Sequence, residues 1–245
     1  EQYRYNIVQW LEIIGQFDAV ISLSLYADRH PEYIFPTISD EKGKYFGKNL
    51  GNPLIVNKEC VTNDFFIDKQ GCFLIITGAN MAGKSTYIRT VGLNLILAEI
   101  GVPVCATEFT FYPTQIMASL KTSDSLSKNE SYFFAELKKL KSIIDRLNNN
   151  ETLFILLDEI LKGTNSNDKL KGSEGFVEKV IYHKANGIIA THDIKLGELE
   201  KKYSDYIHNY HFASKIQDNT LMFDYKLKER IVSEFNATYL MREMG

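Results

Sequence analysis

Three short apolar runs set the framework of the chain: residues 72–77, 152–157 and 187–191, each rich in β-branched or large aliphatic side chains and bounded by turn formers. Runs of this length without polar alternation predict strands buried on both faces, as in a parallel sheet. Between them the hydrophobic period becomes helical. One helix is predicted from Ser85 to about Ile100, stopped by Gly101 with Pro103 beyond. A second places Phe133, Leu137, Leu140, Ile144 and Leu147 on one side and Lys138, Lys139 and Lys141 outward, the lysines reading as a solvated face rather than a DNA patch. Ile7, Leu11, Ile14, Phe17, Ile21 and Leu25 line one face of a further helix near the start, which Pro31 and Pro36 close off. Asp18 lies near that face and calls for a helix-end or interhelix hydrogen bond.

The remaining segments are read from turn chemistry and short β-branched stretches. Residues 42–52 have a loop composition, 55–56 and 65–67 read as strands around a turn at Thr62, Asn63 and Asp64, and 104–112 reads as another strand. Residues 122–130 are polar and serine-rich, and 161–167 form a turn in which Ser166 or Asn167 caps the next helix. Residues 208–213 and 220–225 predict an antiparallel hairpin through Gln217, Asp218 and Asn219, and a last helix spans about 233–244. The alternation of strands and helices predicts an α/β fold with a mostly parallel central sheet flanked by helices, an antiparallel β portion, and a short helical amino-terminal segment. Residues 1–39 divide off as a helical piece packed on a domain over 40–245.

Composition narrows the class without changing that picture. With 245 residues, 44% hydrophobic and 24% charged, the chain can bury a sizeable core. The net charge of −3 carries no bulk positive field toward nucleic acid. Cys60, Cys72 and Cys105 are odd in number and lack Cys-x-x-Cys spacing, which argues against a disulfide framework or zinc site and fits a reducing, cytoplasmic setting. No charge-free apolar stretch reaches about 18 residues, the best being broken by Glu99, so no membrane segment is expected. A start at Glu1 that runs directly into a helix reads as a fragment of a longer protein.

The chemistry is concentrated after the first buried strand. Gly78 to Ser85 matches G-x-x-x-x-G-K-[ST] between a strand and a helix, the context that a phosphate-binding loop requires. Gly78 and Gly83 allow successive N–H groups to turn inward around a phosphate, and the following helix points its positive end at the same anion. Lys84 supplies a cation for the β- and γ-phosphates of ATP, and Ser85 a hydroxyl ligand for Mg²⁺. The pattern arises by chance in roughly one chain in a hundred of this length. The second apolar strand ends in Asp158 and Glu159, about where a phosphate-binding loop needs acids. Asp158 would hold Mg²⁺ beside Ser85, and Glu159 would orient and deprotonate the attacking water. His192 follows the third strand, at the edge where α/β sheets bind ligands, as a γ-phosphate sensor. His183, His208 and His211 are not so placed.

Together these segments resemble the carboxyl-terminal ATPase domain of the MutS mismatch-repair family, a P-loop NTPase of ABC-ATPase type. The run Thr77-Gly78-Ala79-Asn80-Met81-Ala82-Gly83-Lys84-Ser85-Thr86-Tyr87-Ile88-Arg89 is similar to the family's loop, which usually has proline and glycine where Ala79 and Ala82 stand. Leu157-Asp158-Glu159 followed by Gly163-Thr164-Asn165-Ser166-Asn167-Asp168 resembles its Walker B strand and the loop after it, and Ala190-Thr191-His192-Asp193 its histidine switch. Val61-Thr62-Asn63-Asp64 resembles the adenine-side segment, and Phe17-Asp18-Ala19-Val20 the end of the helical core domain leading toward DNA. The resemblance implies that ATP is held by Gly78, Ala79, Asn80, Met81, Ala82, Gly83, Lys84, Ser85 and Thr86, with Asn63 on the adenine side. It also implies that Ser131 is the signature serine reaching the γ-phosphate of a partner subunit, in a homodimer or with a MutS-like partner. Asn129-Glu130 stands where the family places a glycine, and Leu161-Lys162 replaces its usual Gly-Arg. The chain also ends before the family's terminal helix-turn-helix. The implied function is ATP hydrolysis coupled to closure around mismatched DNA. The rivals are a paralogue acting on branched DNA or at a membrane, and a nucleotide clasp with little turnover.

Overall fold

A computed structural model describes residues 3–55, 59–120, 132–217 and 220–230. The predicted parallel strands are β4 (Phe73–Gly78), β7 (Leu153–Asp158) and β8 (Asn186–Ala190). They form the middle of a six-stranded sheet of order β10-β9-β4-β8-β7-β6, with β6 at Gln115–Ser119, β9 at Ile207–Gln217 and β10 at Thr220–Glu229. Every neighbouring pair is parallel except the hairpin of β9 and β10. A four-stranded sheet of order β1-β5-β2-β3 stands beside it, built from β1 (Thr37–Ile38), β2 (Tyr45–Leu50), β3 (Asn63–Ile67) and β5 (Glu108–Phe111). The described helices are α1 (Arg4–Arg29), α2 (Lys84–Glu99), α3 (Tyr132–Asn148), α4 (Ser166–Tyr182) and the short α5 (Leu199–Lys202), which continues a 3₁₀ turn at Ile194–Glu198.

Alternation along the buried strands explains the layering. Successive side chains of a strand point to opposite faces. Leu74, Ile76, Phe154, Leu156 and Ile188 therefore join one apolar cluster with α2 and the four-stranded sheet. Phe73, Ile75, Leu153, Ile155, Leu157 and Ile189 join a second cluster with α3 and α4. Both faces are covered, so the strands carry no polar alternation. Helix α2 is fastened by the fully buried Asn94, whose amide donates to Gly51 O (2.9 Å) and accepts from Cys105 N (2.8 Å).

Several expectations are corrected. Residues 45–50 form β2 rather than loop, because Tyr45 and Leu50 are buried while polar neighbours such as Lys48 face out. Asn63 and Asp64 begin β3 rather than forming a turn, and Ile55 lies in a turn with its N–H on Asn52 O. The strand expected at 104–112 is shorter, since Val104 makes only an isolated bridge to Ile34. Strand β6 has no clear signal in the sequence, its apolar run being only three residues long, Ile116 to Ala118. Asn165, not Ser166 or Asn167, caps α4, its side chain accepting from Asp168 N at 2.9 Å. On α3 the buried stripe is Leu140, Ile143 and Leu147, with Leu137 exposed. Residues 122–130 and 233–244 lie outside the described residues.

Helix α1 differs most from its reading. Its apolar face is not packed: Leu11, Ile14 and Phe17 are each more than 60% exposed, and Asp18 is exposed too. Asn6–Arg29 is long and apolar enough to cross a membrane by length and composition, with none of it buried. Glu12 and Asp18 interrupt its apolar sequence, so it contains no charge-free run of about 18 residues. A core helix of a larger soluble assembly has the same composition.

Candidate active site

The carboxyl ends of β4, β7 and β8 lie in register, Ile76 beside Ala190 and Ala190 beside Asp158. This alignment brings together residues that are far apart in the chain. A cleft of about 420 Å³ opens at that edge, lined on one side by Asn80, Met81, Gly83, Lys84, Ser85, Thr86, Glu159 and His192. Its other wall holds Leu50, Ile55, Glu59, Val61, Asn63, Phe212 and Tyr225, a mainly apolar surface that also carries one carboxylate and one amide.

The loop from Gly78 to Gly83 is shaped by positive-φ backbone, which glycine supplies at both ends. Gly78 has φ +143°, and a Cβ there would meet the Phe212 carbonyl oxygen at 2.7 Å. Gly83 has φ +110° and forms the N-cap of α2 without any side-chain cap. The first N–H groups of α2 thus face the cleft with the helix's positive end behind them, a ready anion site. Met81 is also left-handed, at φ 65°, and is 83% exposed, whereas Ala82 is buried.

Lys84 is 5% exposed and folds back on its own loop, donating to Gly78 O (2.7 Å) and Ala79 O (2.8 Å). His192 Nδ1 lies between Gly78 O (3.0 Å) and Lys84 Nζ (3.3 Å). Its Nε2 meets Glu159 Oε1, and the other Glu159 oxygen pairs with Lys162 Nζ at 2.6 Å. Burial pushes the Glu159 carboxyl up. The hydrogen bonds from His192 and Lys162, and their charges, outweigh it and hold the group well below the usual carboxylate range.

Asp158 is 4% exposed, and neither carboxylate oxygen has a hydrogen-bond partner among the described residues. A buried carboxylate without partners is costly, and a cation is what offsets that cost. Together with the Ser85 hydroxyl at the start of α2, it provides the hard oxygen donors that Mg²⁺ takes alongside phosphate. The residues present fit that ion.

The cleft collects most of the residues named from sequence. Gly78 and Ala79 join through their carbonyls, and Asp158 stands one residue behind Glu159. Ser131 lies outside the described residues. Asn63 lines the cleft, but its amide is already used: it donates to Tyr225 O (3.0 Å) and accepts from Leu227 N (2.7 Å), bracing a bulge in β10. Three contributors escaped the sequence reading. Tyr225 comes from the hairpin, and no local pattern announces it. Lys162 sits three residues after Glu159, a spacing that marks an ion pair only once the turn is known. Glu136, 6% exposed on α3, showed a faint signal as a carboxylate between Phe133 and Leu140 on the apolar stripe.

Comparison with known proteins gives the family. A profile of MutS domain V matches residues 74–239. The chain is 31% identical over 240 residues to the DNA mismatch repair protein MutS of Borrelia garinii subsp. bavariensis, covering 96% of this chain and 27% of that protein. It is 29% identical over 232 residues to MutS protein homolog 4 of Homo sapiens, covering 92% of this chain and 24% of that protein. With the DNA mismatch repair protein MutS of Lactococcus lactis subsp. cremoris it shares 30% over 237 residues, 94% of this chain and 28% of that protein. The chain therefore spans about a quarter of the length of the curated relatives it matches. A match over residues 74–239, more than half of the sequence, makes the chain a member of the MutS family, carrying domain V, the family's carboxyl-terminal ATPase domain.

Proposed function

We propose that the chain binds ATP with Mg²⁺ in the cleft at the ends of β4, β7 and β8 and hydrolyses the β–γ bond, within a MutS-like DNA-repair protein of ABC-ATPase type. One observation carries this reading: Lys84, Ser85, Glu159 and His192 meet in a single cleft beside a buried, unpartnered Asp158. The loop N–H groups surround the phosphates. Lys84 exchanges two neutral carbonyls for anionic phosphate oxygens, which adds the attraction of opposite charges to bonds it already makes. Ser85 and Asp158 would hold the metal. When bound, Mg²⁺ neutralises charge developing on the phosphate oxygens. Glu159 orients the attacking water and accepts its proton, and His192 links Glu159 to the loop that surrounds the γ-phosphate. Rate then comes from positioning and charge neutralisation rather than covalent chemistry.

In the whole protein, two such domains close head to tail, with Ser131 reaching the γ-phosphate bound by the partner. Residues 1–39 belong to the helical core that transmits closure to DNA, and 40–245 to the ATPase. A cytoplasmic protein of this kind uses ATP to grip mismatched DNA.

The test is direct. Lys84→Ala abolishes ATP binding in an equilibrium titration, and an unchanged Kd refutes the site. Asp158→Asn removes the Mg²⁺-dependent part of the affinity. In the full-length protein, Glu159→Gln with ATP forms a dimer visible by native mass measurement. A monomer at saturating ATP overturns the head-to-tail arrangement.

A further inference from the structure

The turn that carries Glu159 holds groups to which the nucleotide reading gives no task. Glu159 and Leu161 both stand at positive φ, 52° and 59°, so the chain after β7 coils instead of running straight on. The coil returns Lys162 over Glu159, with Nζ 2.6 Å from Oε2, on the oxygen opposite the one that meets His192. The coil is gripped from behind by α3. The Glu136 carboxylate faces the backbone N–H groups of Leu161 and Lys162, which draw its carboxyl down against the effect of burial. Gly163 sits so close to Phe133 that a Cβ at the glycine would lie 2.7 Å from the phenylalanine Cβ. Two side chains of α3 thus fix the turn, the turn fixes Lys162, and Lys162 meets Glu159.

We propose that Lys162, anchored through Glu136, is a positioning residue for Glu159, aiming its carboxylate at the water that attacks the γ-phosphorus. The proposal rests on the reading of Glu159 as the water-orienting group. Phosphoryl transfer passes through a loose transition state, so the direction of the base matters more than its strength. A displacement of about 1 Å at such a group costs up to roughly a hundredfold in rate. The water oxygen bonds to phosphorus as the bond to the β–γ bridging oxygen breaks, with its electron pair leaving on ADP. Lys162 changes no bond itself. Its ammonium and His192 hold the two oxygens of one carboxylate from opposite sides, which fixes the plane of that group.

The experiment uses the full-length protein, steady-state ATPase kinetics, ATP titration and amide hydrogen exchange. Lys162→Met is expected to lower kcat about tenfold while KM and the ATP Kd stay within about twofold. Lys162→Arg restores most of the loss, because a guanidinium reaches the same oxygen. Glu136→Gln gives a smaller loss in kcat. Exchange over residues 159–163 rises in Lys162→Met, a readout independent of turnover. An unchanged or raised kcat in Lys162→Met overturns the proposal, and so does a failure of arginine to rescue. An ATP Kd weakened about tenfold or more also overturns it, because Lys162 would then be a phosphate ligand. Glu159→Gln separates the two levels. Wild-type turnover in that variant removes the underlying assignment, whereas an inactive Glu159→Gln beside a fully active Lys162→Met removes the positioning role alone.

Discussion

Lys84 and Glu136 show how far a single side chain's setting departs from what its residue type suggests. Lys84 is a buried cation that rests on two backbone carbonyls, so the loop is closed around its own lysine. Glu136 is a carboxylate pushed up from its usual range by burial, only partly offset by the Leu161 and Lys162 N–H groups and by the nearby Lys162 and Lys169 charges. The folded-state value therefore lies above the unfolded value of 4.5. Its contribution to stability is fully present below about pH 4.5 and is lost as pH rises through the raised value. Glu136→Gln keeps an acceptor for both N–H groups without the charge. It should unfold at higher temperature than the parent near pH 8, with the gain shrinking as pH falls toward 4.5, as thermal melts across that range would record. A variant that gains stability while losing turnover would mark the carboxylate as kept for function.

Among the elements, α1 and β4 carry similar apolar residues to opposite ends of the burial scale. Ile75 in β4 is fully buried between packed layers, so Ile75→Ala should cost about 2–5 kcal/mol in urea unfolding. Ile14 on α1 is 63% exposed, so Ile14→Ser should change stability within about 0.5 kcal/mol. Equal losses at both positions would mean that α1 packs on the domain in solution. The contrast also shows why helical periodicity alone misleads. The pattern of α1 predicts correctly that a helix forms and which side is apolar. What covers that side is a matter of the surrounding polypeptide, and the described residues supply nothing to do so.

At the scale of the molecule, the cleft depends on two sheets being held together. The four-stranded sheet supplies Leu50 and Asn63, the segment leading into β3 supplies Val61, and the six-stranded sheet supplies the phosphate loop and Tyr225. Asn63 ties them through Tyr225 O and Leu227 N, and Lys226 Nζ adds a bond to Thr62 O at 2.7 Å. Asn63→Ala removes both amide bonds and leaves partners unpaired at the bulge. It should cost roughly 1–3 kcal/mol and weaken ATP binding several-fold, measured by urea unfolding and titration. Wild-type affinity in that variant would show that the wall holds its shape without the amide.

The strand–loop–helix at 72–99, the acidic strand end at Asp158 and Glu159 and the following histidine were all legible from the chain alone. Each is local: burial on both faces demands an unbroken apolar run, a left-handed backbone demands glycine, and a helix start demands a cap or an anion. Residues 45–50 and 115–119 were not legible as strands, because a short strand is stabilised by the partner across its ladder and its own propensity decides little. Likewise only the folded chain could reveal that Lys162 closes on Glu159, that Glu136 holds the turn between them, and that Asn63 braces the hairpin instead of standing free. Those contacts join residues set apart by turns or by most of the chain's length, and no pattern along the sequence encodes the distance between them.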